Sequence, residues 1–193
     1  MNKKLFIFDM GGVMCDNTNV TDDICNTLDI GKSEFIKHCT RDGLKKIQTG
    51  EMKMTDFWDN FANNSGLEIK EDYFKLFFKP VRKPEMYELV EELKKNFRVV
   101  LGTNTIKPHY EVHMENNDYY VFEKIYPSHL IGFSKPDSDF LMHIVKEEGY
   151  EPENVIFIDD TEDNVLSAKN DGINAFIFKN KEKLLEEISE YIK

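Results

Sequence analysis

Polar side chains with the chemistry of a cation site lie at the ends of three short apolar runs of the sequence. Asp9 follows the first run, Thr103 and Asn104 lie just beyond the second, and the adjacent Asp159 and Asp160 follow the third. If these runs are neighbouring strands, three carboxylates converge and raise one another's pKa unless a cation lies between them. Oxygen ligands of this kind favour Mg²⁺ over zinc or copper. The spacing therefore predicts a magnesium site.

The apolar runs themselves predict the strands that position these side chains. Each run is continuous, as in strands that are buried on both faces of a sheet. The runs occupy residues 5–8, 99–101, 155–158 and 175–178. Apolar residues at helical spacing predict helices at residues 85–96, 140–148 and 181–192. Alternating strands and helices indicate an α/β fold, a parallel sheet with helices on both faces, and such sheets bind ligands beyond the carboxyl ends of their strands.

Residues 15–79 differ in pattern from the rest of the chain. They carry several short helical patterns interrupted by glycines, and no strand signal comparable to the four runs. We therefore predict a small all-helical insertion after the first strand, at residues 15–79, and a core formed by residues 1–14 and 80–193. Inside the insertion, Thr55 predicts a helix N-cap and Gly66 predicts the end of the same helix.

The aromatic and basic residues of the insertion allow two interpretations each. The aromatic residues recur at helical spacing, which favours a small core of the insertion over a flat surface for a substrate. They are Phe57, Trp58, Phe61, Phe74, Phe77 and Phe78. The basic residues Arg41, Lys45 and Lys46 face either a substrate or only water.

Length, charge and cysteine content exclude several classes of partner. A chain of 193 residues forms one domain, or one core with a modest insertion. The net charge of -11 argues against nucleic acid, because its binding relies on clustered Lys and Arg. The run at residues 5–8 is too short for a signal sequence or a membrane span, so we expect no membrane partner and a cytoplasmic location. Three cysteines without CxxC spacing indicate neither disulfides nor a zinc site, and no pattern predicts an oligomeric state.

Four motifs resemble, in order and spacing, those of the haloacid dehalogenase superfamily. They are Asp9-Met10-Gly11-Gly12-Val13, Thr103-Asn104, Lys135-Pro136-Asp137 and Asp159-Asp160-Thr161-Glu162-Asp163-Asn164. The resemblance implies a Rossmann-like core, a mobile cap formed by the helical insertion, and a Mg²⁺-dependent phosphatase acting on a small-molecule phosphate ester. Residues 122–137 further resemble a bacterial subgroup that includes α-glucose-1-phosphate phosphatases, which implies a sugar phosphate as substrate.

The same resemblance implies a nucleophile and a set of metal ligands. Asp9 is expected to attack phosphorus and to carry the phosphoryl group until water hydrolyses the aspartyl phosphate. Mg²⁺ is expected to bind the Asp9 carboxylate, the backbone carbonyl of Gly11 and the Asp160 carboxylate, with Asp159 helping directly or through water.

Three further residues are implied to bind the phosphoryl group. The Thr103 hydroxyl and the Asn104 backbone N–H are expected to hold its oxygens, and Lys135 is expected to neutralise the charge that spreads over them during transfer. Asn164 is expected to steady the acidic loop. Without the resemblance, Thr103 has a simpler interpretation as the cap of the following helix.

Gly11 departs from the pattern of the superfamily's phosphatases, which usually carry a second Asp at this position as general acid and base. Such help is typically worth about 10²- to 10⁴-fold in rate. Its absence implies that another group protonates the leaving oxygen, that the substrate has a good leaving group, or that the protein is slow. His109 is one candidate for the acid, although a structural role is the simpler interpretation.

Two other functions compete with phosphate-ester hydrolysis. Hydrolysis of a carbon–halogen bond uses the same nucleophile, but attack on carbon needs no cation, and the pair Asp159 and Asp160 predicts one. A catalytically silent protein that binds a phosphorylated ligand is the second alternative, and Gly11 is its support. Release of phosphate from a general substrate, with and without Mg²⁺, separates the three functions.

Overall fold

A five-stranded sheet lies at the centre of the fold. The computed structural model describes residues 4–40 and 42–192, so Arg41 lies outside the described residues. The strands are β1 (Leu5–Phe8), β2 (Cys15–Asp16), β3 (Val81–Arg82), β4 (Arg98–Thr103), β5 (Ile125–Pro127), β6 (Val155–Asp159) and β7 (Asn174–Ile177). The large sheet has the order β5-β4-β1-β6-β7, and all its neighbouring strands are parallel.

Helices cover the large sheet and fill the segment between β2 and β3. They are α1 (Thr21–Leu28), α2 (Lys32–His38), α3 (Gly43–Gln48), α4 (Met54–Ser65), α5 (Tyr73–Phe77), α6 (Pro84–Leu93), α7 (Lys107–Glu115), α8 (Ser128–Ile131), α9 (Ser138–Glu148), α10 (Glu162–Asn170) and α11 (Lys181–Glu187). A short 3₁₀ turn, Pro152–Asn154, precedes β6. The large sheet with flanking helices confirms the predicted α/β fold class.

The central strand β1 explains why the sheet is buried on both faces. Its residues are fully buried, and successive side chains point to opposite faces. Phe6 and Phe8 pack in one apolar cluster with residues of α6, such as Val90. Leu5 and Ile7 belong to a second cluster with residues of α9 and α10. A continuous apolar run is therefore needed here, because neither face of the strand meets water.

The predicted core helices are present with shifted ends. The helix predicted at residues 85–96 is α6, which begins at Pro84, a residue well suited to a first helical turn because that turn needs no N–H donor. The helix predicted at residues 140–148 begins two residues earlier, at Ser138. The C-terminal helix α11 ends at Glu187 instead of continuing to residue 192, although Ile188 just beyond it is fully buried.

Helices α1 to α5 share an apolar cluster of their own. Phe57, Trp58 and Phe61 of α4 are buried in it, as the core interpretation of these aromatic residues predicts. One feature departs from an all-helical insertion: β2, at its start, pairs antiparallel with β3. The division into a cap at residues 15–79 and a core at residues 1–14 and 80–193 stays a prediction.

Two local predictions in α4 have different outcomes. Gly66 ends the helix in the left-handed conformation (φ 73°), as predicted. The N-cap prediction for Thr55 is wrong, because α4 already begins at Met54 after an extended Lys53, and no side chain caps it.

Among the described residues, no helix has both the length and the apolarity to cross a bilayer. The thiols of the three cysteines are free and buried.

Candidate active site

The carboxyl ends of three adjacent strands bring the predicted site residues together. Asp9 follows β1, Thr103 is the last residue of β4, and Asp159 is the last residue of β6. The Asp9 backbone N–H donates to the Ile158 carbonyl at 2.9 Å, which continues the β1–β6 pairing up to the site. Carboxylate oxygens of Asp9, Asp159 and Asp160 all lie within 4.8 Å of one another. The structure thus brings together the three acids that the run ends predict.

Lys135 supplies the positive charge of this cluster. Its ammonium lies 2.7 Å from Asp9 Oδ1 and 2.7 Å from Asp159 Oδ2, and it donates to the Gly102 carbonyl at 3.1 Å. The three acceptors match the three N–H bonds of a lysine ammonium. Because the side chain is 2% exposed, its charge is held in place between the two carboxylates. Lys135 is therefore a fixed cation beside Asp9.

The electrostatics leave the cluster short of positive charge. Burial raises the pKa of Asp9 to about 6, against the lowering effect of Lys135, and Asp159 raises it further. Burial and the neighbouring Asp159 also raise the pKa of Asp160. Burial alone would lower the pKa of Lys135, but Asp9 and Asp159 raise it above its ordinary value. One ammonium beside three carboxylates is the charge pattern that a bound divalent cation completes.

Asp159 and Asp160 differ in how free they are to bind a cation. Asp159 Oδ1 accepts from the Thr161 backbone N–H at 2.9 Å and from Asn164 Nδ2 at 3.0 Å, while Oδ2 accepts from Lys135. Asp159 is fully buried, whereas Asp160 is exposed. Asp9 and Asp160 are thus the better candidates for direct metal contact, and Asp159 orients Lys135. Asn164 steadies the acidic loop by its contact, as the motif implies.

Asn104 connects the end of β4 to the loop that carries Lys135. Its side-chain Oδ1 accepts from the Lys135 backbone N–H at 2.8 Å, and its Nδ2 donates to the Lys135 carbonyl at 2.9 Å. The side chain is therefore occupied, which leaves the Asn104 backbone N–H as its group for a ligand. Thr103 is buried and does not cap the next helix, because α7 begins at Lys107.

Two adjacent glycines in the loop after Asp9 have different backbone requirements. Gly12 has φ +73°, and a Cβ built on it would lie 2.0 Å from Asp160 Oδ2. Gly11 does not have a positive φ, and a Cβ built there would lie 3.2 Å from Thr18 Oγ1. Only Gly12 is therefore required by the close approach of Asp160. A side chain at Gly11 meets neither a forbidden backbone conformation nor a rigid neighbour.

The sequence matches a known protein family. The family model of haloacid dehalogenase-like hydrolases matches residues 3–172, which contain all four motifs. The chain belongs to this family. The hydrolase is 27% identical over 178 residues to a sesquiterpene phosphatase of Aspergillus oryzae, a match that covers 88% of this chain and 87% of the relative. It is 33% identical over 105 residues to a drimenol cyclase of Aspergillus calidoustus, which is 52% of this chain and only 20% of the cyclase.

A solved structure has the same fold as this haloacid dehalogenase-like hydrolase. It is a family member from Bacteroides thetaiotaomicron, in complex with magnesium and inorganic phosphate. The TM-score is 0.75 at 22% identity, and the match covers 92% of this chain and 95% of the other. At that identity the likeness concerns the fold, and it confirms the Rossmann-like parallel sheet of the hydrolase.

In this hydrolase, a cavity of about 270 Å³ extends from the acidic cluster towards the helices between β2 and β3. Asp9, Gly11, Thr103 and Asn104 line its sheet end. Part of its wall is apolar, and sequence analysis did not single out most of these apolar residues. They are Leu44 and Ile47 of α3, Phe74 of α5, and Phe78 and Ile106. Phe74 and Phe78 thus serve both the core of the inserted helices and the cavity.

His109 also lines the cavity of the hydrolase. Its ring stacks on Phe78 with a centroid distance of 3.8 Å, and burial lowers its pKa to about 3. The imidazole is therefore neutral at neutral pH. A neutral imidazole is a poor general acid, which argues against His109 as the replacement for the acid that Gly11 lacks. The stacking on Phe78 fits the structural interpretation of His109, and its place in the cavity wall is where the sequence-based alternative also put it.

Replacing Gly12 by alanine tests the close approach of Asp160 to this glycine in the hydrolase. We expect Gly12→Ala to raise the Mg²⁺ concentration needed for half-maximal activity at least about tenfold, because the new methyl displaces Asp160, and to lower the free energy of unfolding by about 1 to 3 kcal/mol. Gly66→Ala is the matched control, because Gly66 has the same φ of +73° but no neighbouring atom within 4 Å of a built Cβ, and it should leave the Mg²⁺ requirement near that of the wild type. Equal Mg²⁺ requirements of the two variants would contradict the assigned role of Asp160.

Proposed function

We propose that this hydrolase is a phosphatase that cleaves phosphate monoesters of small molecules. The observation that carries the proposal is the Asp9–Lys135 pair, 2.7 Å apart, at the sheet end of a cavity and beside two further carboxylates. A relative named as a sesquiterpene phosphatase, and a structure of the same fold holding magnesium and phosphate, support phosphate chemistry. Among the described residues that line the cavity, Asp9 is the only carboxylate.

The proposed reaction proceeds in two displacements at phosphorus. An Asp9 carboxylate oxygen attacks phosphorus, and the bond from phosphorus to the ester oxygen breaks. The ester oxygen leaves with that electron pair and takes up a proton from solvent water. Water then attacks the aspartyl phosphate and releases inorganic phosphate and the free carboxylate. Lys135 neutralises charge on the phosphoryl oxygens, while the Thr103 hydroxyl and the Asn104 backbone N–H hold them.

The residues of the site fit a magnesium ion. Asp9 and Asp160 offer carboxylate oxygens, Gly11 its backbone carbonyl, and Asp159 a further contact that is direct or through water. When bound, Mg²⁺ neutralises phosphoryl charge so that an anionic nucleophile can approach an anionic ester. Oxygen donors alone, with neither histidine nor cysteine in the cluster, match this ion better than zinc.

We further propose that residues 15–79 form a cap on the core of residues 1–14 and 80–193. We also propose that the protein is cytoplasmic and that its partner is a small phosphate ester, with neither nucleic acid nor a membrane as partner. The similarity to α-glucose-1-phosphate phosphatases supports a sugar phosphate, whereas the name of the Aspergillus oryzae relative concerns a sesquiterpene. The two leaving groups differ in polarity, so the wall of the cavity can distinguish them.

The proposed function is tested by release of p-nitrophenolate from p-nitrophenyl phosphate. We expect turnover with Mg²⁺, a loss of at least about 10²-fold after treatment with EDTA, and recovery when Mg²⁺ is added back. Full activity in the presence of EDTA would contradict the metal site. Release of halide from a haloacid without phosphatase activity would identify a dehalogenase, and binding of phosphate without any turnover would identify a silent binding protein.

A further inference from the structure

The cavity beside Asp9 has an apolar surface along part of its wall. Ile47, Phe74, Phe78 and Ile106 are buried and line it together with the half-buried Leu44. They come from α3, from α5 and its end, and from the residue before α7. A ligand held at the sheet end by its phosphoryl group therefore extends the rest of its structure along an apolar surface.

Five polar side chains line the cavity away from its sheet end, and some already have partners. His113 Nδ1 lies 2.7 Å from Asp118 Oδ2, so this imidazole is engaged inside the protein. Among the described residues, the buried Nε2 of His109 has no hydrogen-bond partner, and it offers one position for a single oxygen. The other three polar side chains away from the sheet end are those of Thr18, Gln48 and Thr105. A polyol needs more partners than these.

The charges of the wall argue against a second anionic group on the ligand. Apart from Asp9, the described residues that line the cavity carry no charged side chain at neutral pH. Lys45 of α3 is not among them, because its ammonium lies 2.5 Å from Asp137 Oδ2 outside the cavity. Lys46 is exposed and does not line it either. The cavity thus fits one phosphoryl group followed by an uncharged remainder.

We propose that the leaving alcohol is apolar, so that the substrate is the phosphate monoester of a small hydrocarbon alcohol. This inference rests on the proposed phosphatase function and adds the substrate class. Each hydroxyl group of a sugar would lose its water in this cavity and find few replacements, which disfavours binding. A hydrocarbon loses no hydrogen bonds on entry and removes apolar surface from water on both sides.

The test compares two esters with the same six-membered carbon ring. Cyclohexyl phosphate and myo-inositol monophosphate differ only in the hydroxyl groups of the alcohol, and p-nitrophenyl phosphate reports whether the protein is a phosphatase at all. We expect kcat/KM for cyclohexyl phosphate to exceed that for myo-inositol monophosphate by at least about 10²-fold. The hydroxyl groups make inositol the more acidic leaving alcohol, so this preference would run against intrinsic reactivity.

A pair of variants locates the preference in the wall. Leu44→Asn keeps the size of the side chain and adds polar groups, and we expect it to lower kcat/KM for cyclohexyl phosphate about tenfold or more without lowering that for myo-inositol monophosphate. Leu76→Asn is the matched control, since Leu76 lies on α5, is 39% exposed and does not line the cavity. It should leave both values unchanged.

The outcomes separate this inference from the proposed function. Turnover of p-nitrophenyl phosphate together with equal or better turnover of myo-inositol monophosphate, or of α-glucose-1-phosphate, would overturn the apolar substrate class and keep the phosphatase. If no ester is turned over, the phosphatase proposal fails, and calorimetric binding to the Asp9→Asn variant decides the ligand class. Tighter binding of cyclohexyl phosphate than of myo-inositol monophosphate would support an apolar ligand class, and equal or weaker binding would overturn it.

Discussion

Replacing Asp9 by asparagine is expected to lower turnover of p-nitrophenyl phosphate at least about 10³-fold, or roughly 4 kcal/mol in barrier height. Asparagine has nearly the same shape as aspartate but no anionic oxygen to attack phosphorus. The fold should persist, because Lys135 keeps its 2.7 Å contact with Asp159 and its bond to the Gly102 carbonyl. The measurement is phosphate release at saturating Mg²⁺, with thermal unfolding as a check of the fold.

The matched control for this variant is Asp59→Asn. Asp59 is exposed on α4, and the same chemical change there should leave turnover near that of the wild type. A second readout is covalent labelling: the wild type, quenched in acid during turnover, should carry phosphate, and the Asp9→Asn variant should not. Residual turnover within about tenfold of the wild type would contradict Asp9 as the nucleophile.

Replacing Lys135 by methionine is expected to affect stability as well as activity. Methionine is similarly long and leaves Asp9 and Asp159 buried beside each other without the ammonium between them. Removing one partner of a buried ion pair typically costs about 3 to 5 kcal/mol of folding free energy. We also expect turnover to fall about 10²- to 10³-fold, because the phosphoryl oxygens lose a fixed cation.

The comparison variant is Lys45→Met. Lys45 forms an ion pair with Asp137 at 2.5 Å, but both side chains are about half exposed, and such pairs typically contribute about 0 to 1 kcal/mol. Unfolding is measured by denaturant in the presence of EDTA, so that added Mg²⁺ does not compensate the two carboxylates. Similar unfolding free energies for the two variants would contradict the structural role of Lys135.

The close approach of Asp9, Asp159 and Asp160 could be predicted from the sequence, because these acids lie at the ends of strands with a clear apolar pattern. Runs such as residues 5–8 and 155–158 are apolar up to the acid, which is the sequence pattern of parallel strands that are buried on both faces. Asp9 and Asp159 then lie at one edge of the sheet as a consequence of strand direction. The same reasoning places Thr103 there, at the end of β4.

Other parts of the site have no local signal. The strand β5 has only three residues, Ile125–Pro127, which is too short for a periodic pattern. The bonds from the Asn104 side chain to the Lys135 backbone join residues 31 apart in the chain, so no spacing indicates them. The cavity wall combines Ile47 and Phe74, whose apolar side chains also fit a plain helical core. Tertiary packing, which sequence periodicity does not contain, decides which apolar residues meet a ligand.

The pairing of β2 with β3 has a consequence for how this hydrolase can diversify. The chain leaves the core for the inserted helices at β2 (Cys15–Asp16) and returns at β3 (Val81–Arg82), and these two strands pair side by side. Just beyond them, Asn17 Nδ2 donates to the Lys79 carbonyl at 2.7 Å. The segment between β2 and β3 therefore has its two ends next to each other, whatever its length. Lengthening such a closed loop has a small entropic penalty, about 0.6 kcal/mol per doubling. Evolution can exchange the part of the cavity wall that this segment carries without moving the strand ends that carry the acids.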